Sequence, residues 1–203
     1  MGLFKKKRNP MDYAIYGDQF YKIYTEYTFL VGQAMKKHGL DLEQMNTMVC
    51  WHKITLATRY ICEYGVLCTK GYTQEEMNRK FDMINASYSI GYKNFLDSKV
   101  VDEIGKNIYN TLKYEDFVAL WDDTIKEEPN MMNAILISSG MVDTLIECDI
   151  NSLDELDKSV PPEKLKYAES FTSELINVYD NQGIREKVNK WVKEADYDPK
   201  LMK

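Results

Sequence analysis

The chain has 203 residues, of which 44% are hydrophobic and 29% charged, and a net charge of −6. That composition fits one folded domain or two small ones and excludes a wholly disordered chain. No stretch approaches the roughly 18 consecutive apolar residues of a membrane-spanning helix, so no span is expected.

The first ten residues stand apart. Lys5, Lys6, Lys7 and Arg8 form a basic run closed by Asn9-Pro10, which reads as a mobile tail serving solubility, the alternative being weak attraction for phosphate or anionic lipid. No apolar segment follows it, so a secretory signal is not expected. Lys6 stands where a myristoylation motif starting at Gly2 requires Ser or Thr.

The first helix is predicted from Tyr13, Tyr16, Phe20, Ile23, Tyr27, Leu30 and Ala34. Their steps of three and four lay them along one stripe. Lys36, Lys37 and His38 suit the last turn of that helix, where cations meet its negative end, and Gly39 supplies a stop. Asp41 and Gln44 then form a possible capping box for a second helix over about 42–70. Cys50, Ile54, Ala57, Ile61, Gly65 and Cys68 share one side of it, and Ala57 and Gly65 permit close helix approach. Two long helices on so short a link are expected to fold back as an antiparallel hairpin.

Thr73 and Glu76 form a second capping box before a third helix carrying Met77, Phe81, Ile84, Tyr88 and Phe95 and ending near Leu96. A fourth carries Val101, Ile104, Ile108 and Leu112. A fifth runs from about Tyr114 to Glu128 and is broken by Pro129. A sixth covers roughly 130–148, with a bend at Ser138-Ser139-Gly140. After a short turn at Ser152–Glu155, Pro161 and Pro162 open another long helix, since a first turn tolerates the missing N–H. Gly183 separates it from a final helix with Ile184, Val188, Trp191 and Ala195. The expectation is an all-α bundle of about eight helices, with residues 11–203 a single domain and a weak subdivision near 113.

The charge along this framework is uneven. Between Tyr114 and Asp157 stand twelve acidic residues and one base, Lys126, so the rest of the chain is net positive. The pairs Glu115-Asp116, Asp122-Asp123 and Glu127-Glu128 allow two readings, the solvent face of ordinary helices or an imitation of spaced phosphates. Such an imbalance bears on partner choice rather than on fold.

No catalytic signature accompanies it. The two histidines, His38 and His52, build neither a Glu-x-x-His di-iron set nor a His-Glu-x-x-His zinc set. His38 is expected to serve its helix terminus and His52 to sit half-buried beside Trp51. Cys50, His52, Cys62 and Cys68 are zinc-ligand types, but on one helix Cys50 and Cys68 stand about 27 Å apart, beyond any shared metal or disulfide. Asp122-Asp123-x-x-x-Glu127 is a loose version of an Asp-rich magnesium box, with Lys126 where an acid is wanted and no second box. Phosphate-binding glycine loops are lacking. Arg185, Lys187, Lys190 and Lys193 are diluted by Glu186 and Glu194, so they read as a solvated face rather than a nucleic-acid-reading helix.

With four cysteines and no export signal, reduced thiols and a cytoplasmic location are expected. No cofactor is expected. The favoured reading is a non-catalytic binding or inhibitory protein. Its acidic residues Glu115, Asp116, Asp122, Asp123, Glu127 and Glu128 would meet a basic surface on a toxin or a nucleic-acid-directed enzyme. In charge and size it is analogous to immunity proteins and phage inhibitors. Two alternatives stand beside it: a small-molecule-binding or enzymatic domain with a tyrosine-lined pocket, and a structural subunit of a homo-oligomer.

Overall fold

The computed structural model describes residues 10–39, 47–97, 106, 131, 135 and 162–195. Its elements are α1 (Pro10–Lys36), α2 (Thr47–Leu67), α3 (Gln74–Leu96), α4 (Pro162–Asn181) and α5 (Ile184–Glu194). Lys106, Met131 and Ile135 are also helical, and no strand occurs among the described residues. The Asp41–Gln44 capping box and most of the predicted fourth, fifth and sixth helices lie outside the described residues.

Pro10, read from sequence as the end of the tail, is instead the first residue of α1, where proline's fixed φ suits the helix. The predicted stripe is present: Phe20, Ile23, Tyr27 and Ala34 are buried, with Tyr16 and Leu30 packed against them. The buried face is wider than a stripe, because Tyr24, Thr28, Val31 and Met35 are buried as well. The reason is that α1 touches all four other described helices. Its end tightens as Lys37, His38 and Gly39 donate to the carbonyls of Ala34, Met35 and Lys36 at 3.0, 3.0 and 3.1 Å, and Gly39 takes the left-handed conformation with φ 85°.

α2 departs from the one-sided pattern expected of it. Every residue from His52 to Val66 is buried except the half-buried Thr55. Ile54, Ala57, Ile61 and Gly65 lie in the core as predicted, and so do Lys53, Arg59 and Glu63. Charge in such a place is stable only when paired. Arg59 Nε donates to Glu63 Oε1 at 2.6 Å and Nη2 donates to Asn85 Oδ1 at 3.0 Å, which ties α2 to α3. Where α1 crosses α2, the hydroxyls of Thr28 and Thr58 lie 2.6 Å apart.

Three further contacts fix the remaining helices on α1. Tyr27 donates its hydroxyl to the Leu175 carbonyl of α4 at 2.8 Å, and its ring lies 5.8 Å from that of Tyr179. Trp191 of α5 donates Nε1–H to the Tyr16 carbonyl at 2.7 Å and packs its ring 4.7 Å from Phe20. Each such side chain, withdrawn from water, contributes about 1.5–3 kcal/mol. Gly17 admits α3: a Cβ there would stand 2.7 Å from Ser87 Cβ and closer still to the Met83 carbonyl oxygen. At Gly65 of α2 the space a Cβ would fill is taken by the Tyr179 hydroxyl of α4, a side-chain contact rather than the close helix approach expected from sequence.

Candidate functional site

Two helix ends meet to form the site. The capping box read from sequence closes the start of α3: Thr73 N–H and Oγ1–H donate to Glu76 Oε2 at 2.7 and 2.8 Å, and Glu76 N–H returns a bond to Thr73 Oγ1 at 3.3 Å. These bonds, the backbone one first, hold the Glu76 carboxyl below its usual range. One turn onward, α3 presents Arg79 and Lys80.

Lys80 points inward and is 3% exposed. Its ammonium donates to the carbonyls of Val192 and Ala195 at 2.6 Å each, and lies 4.8 Å from the centre of the Tyr72 ring. The C-terminus of α5, where unpaired carbonyls carry partial negative charge, is thus covered by a cation from another helix. Ala195 N–H completes this end by donating to the Trp191 carbonyl at 2.7 Å.

Beside this junction is a cavity of about 150 Å³. Tyr72, Met83 and Ala195 wall it, and Glu76, Arg79, Lys80 and Lys193 supply its charged groups. Arg79 makes a long contact to Glu75, at 3.7 Å, and its charge also acts on the Glu76 carboxyl. Lys193 is exposed on the rim. Three cations face one carboxylate, so the cavity is electropositive and suited to a small anion. Sequence reading missed it, because its two halves stand 112 residues apart at Lys80 and Val192. The one local signal is an Arg-Lys doublet placed just after a capping box.

Arg185 and Lys187 of α5 are committed to close pairs and Lys190 makes a longer contact, in line with a solvated face. Arg185 Nε donates to Asp180 Oδ1 at 2.8 Å, Lys187 reaches Glu26 at 2.6 Å and Lys190 lies 3.9 Å from Glu194. His38 closes its own helix end through its backbone N–H, and its ring reaches a second helix. Its Nε2 lies 2.8 Å from Glu174 Oε1 on α4, and that hydrogen bond lowers the Glu174 carboxyl from its ordinary range. His52 is 4% exposed rather than half-buried.

α2 is continuous through Cys50 and Cys62, the geometry on which the argument against a shared zinc rested. Cys62 is a buried free thiol and Cys68 a half-buried one; burial pushes the Cys62 thiol well up and the Cys68 thiol up. Among the described residues, no three His, Cys, Asp or Glu side chains are placed to hold a metal. Several tyrosines of the first helices pack ring against ring, as in Tyr21–Tyr24 at 5.2 Å and Tyr60–Tyr64 at 6.0 Å. The six predicted partner-binding acids, Glu115, Asp116, Asp122, Asp123, Glu127 and Glu128, lie outside the described residues. Among the described residues no helix is long and apolar enough to cross a membrane. No protein-family model, curated protein or solved structure matches the chain.

Proposed function

We propose that this chain is a non-catalytic binding protein that docks through its acidic segment onto a basic surface of another protein. The observation that carries the reading is the twelve-to-one excess of acids over bases between Tyr114 and Asp157. Charge elsewhere supports it by contrast. On the described helices Asp18, Glu26, Glu63, Glu174 and Asp180 each have a basic partner within 2.8 Å, so a share of the acids there is balanced by neighbouring bases. An unbalanced segment creates a long-range field that steers a basic partner and rejects anionic ones.

The partner this chemistry fits is a protein whose own ligand is a polyanion, such as a toxin or another nucleic-acid-directed enzyme. The paired acids Glu115-Asp116, Asp122-Asp123 and Glu127-Glu128 take the place of phosphates. The same reading treats residues 11–203 as one domain of about eight helices, opening with α1 and α2 as an antiparallel hairpin, and places it in the cytoplasm, where its thiols stay reduced.

The test is partner capture with the wild-type chain and with Asp122→Asn, Asp123→Asn, Glu127→Gln and Glu128→Gln combined. Loss of the captured protein in the variant, with an unchanged circular dichroism spectrum and melting curve, is the expected result. Equal capture by the two chains contradicts an acidic interface.

A further inference from the structure

We propose that the cavity between the start of α3 and the end of α5 binds a phosphate group. The argument begins with the carbonyls of Val192 and Ala195, which alone would repel an anion. The Lys80 ammonium covers both at 2.6 Å, and this removes the repulsion while leaving its charge at the cavity wall. Arg79 lies next to it in sequence, and its contact to Glu75 at 3.7 Å is too long for a hydrogen bond. Its planar fork of donors is matched to phosphate oxygens. Lys193 approaches from the opposite helix, exposed on the rim.

Glu76 is the opposing charge. Its Oε2 already accepts two bonds from Thr73, and its one negative charge, which Arg79 and Lys80 also feel, is outnumbered by the three cations. A volume of about 150 Å³ holds inorganic phosphate or the phosphate end of a larger monoester, and is too small for a whole nucleotide. No lining residue of the cavity belongs to the acidic segment, and its size suits a small ligand rather than the protein partner proposed above.

The experiment is a ¹H–¹⁵N titration of the full chain at constant ionic strength, with inorganic phosphate, ribose 5-phosphate, acetate and chloride as separate arms. Phosphate is expected to shift the amides of Arg79, Lys80 and Lys193 saturably, with a Kd on the order of 1 mM. Arg79→Gln with Lys193→Gln should weaken it roughly tenfold or more, about 1.4 kcal/mol. Both side chains reach solvent, so the fold should hold; Lys193→Gln alone, on the rim, gives a smaller loss as a second reading. Tighter binding of ribose 5-phosphate points to a phosphomonoester, and equal binding to free phosphate. Shifts no larger than those from chloride, or an unchanged Kd in the double variant, overturn the proposal.

Discussion

Replacing Gly17 by alanine gives a result whose sign depends on the fold. In an exposed helix interior the change stabilises by up to about 1 kcal/mol, because glycine loses more backbone freedom on folding. Here the added methyl meets Ser87 Cβ at 2.7 Å and, closer still, the backbone carbonyl of Met83. Neither is the far end of a flexible side chain, so α1 and α3 must separate. Overpacking of this kind costs about 1–3 kcal/mol, which exceeds the propensity gain and leaves the variant about 1–2 kcal/mol less stable. For a chain of this size that lowers Tm by about 2–8 °C. Urea unfolding followed by circular dichroism measures it. Adding Ser87→Gly removes one of the two obstructions, so a double-mutant cycle should show favourable coupling. A Gly17→Ala protein as stable as wild type, or more so, would refute the close α1–α3 crossing.

Other outcomes follow from the same contacts. Lys80→Met strands the Val192 and Ala195 carbonyls and should cost about 1.5–3 kcal/mol, with faster amide exchange confined at first to the last turn of α5. Thr73→Ala removes the cap of α3 and should cost about 1 kcal/mol by chemical denaturation. Burial pushes the Tyr27 and Tyr179 hydroxyls above their ordinary 10.0 and the Cys62 thiol above 9.0. Above about pH 9 the unfolded chain therefore releases protons that the native state keeps, and stability should fall as pH rises, less steeply in Tyr27→Phe. At the other end, Glu76 and Glu174 ionise below their ordinary 4.5 in the native state, held by Thr73 and His38 respectively. Their contribution is present above pH 4.5 and should be lost as pH drops through the lower native values, which acid titration of the unfolding midpoint will show.

The features legible in the sequence were those whose cause is local. The three-and-four spacing of Phe20, Ile23 and Tyr27, the Thr73–Glu76 box, Pro162 at a helix start and Gly183 between two helices each depend on residues within a turn or two. Gly183 N-caps α5 with φ 79°, a conformation that other residues rarely adopt. Features made by distant chain segments were not legible. His38 finds Glu174, 136 residues away, and Lys80 finds the end of α5. α2 misled for a related reason: Arg59 and Glu63 look like a solvent face by type, whereas the pairing of Arg59 with Glu63 and Asn85 makes their burial possible. Gly65 was read as a place of close helix approach, and the space there is filled by the Tyr179 side chain, a residue more than a hundred positions away.

The central claim, that the acidic segment is the docking surface, is tested most directly by carbodiimide labelling of carboxylates read by mass spectrometry, free and in complex with the captured partner. The account predicts that Glu115, Asp116, Asp122, Asp123, Glu127 and Glu128 label readily in the free chain and are protected in the complex, while Asp18 and Glu75 label equally in both. Equal labelling of the six acids in the two states, or their resistance in the free chain, would contradict it.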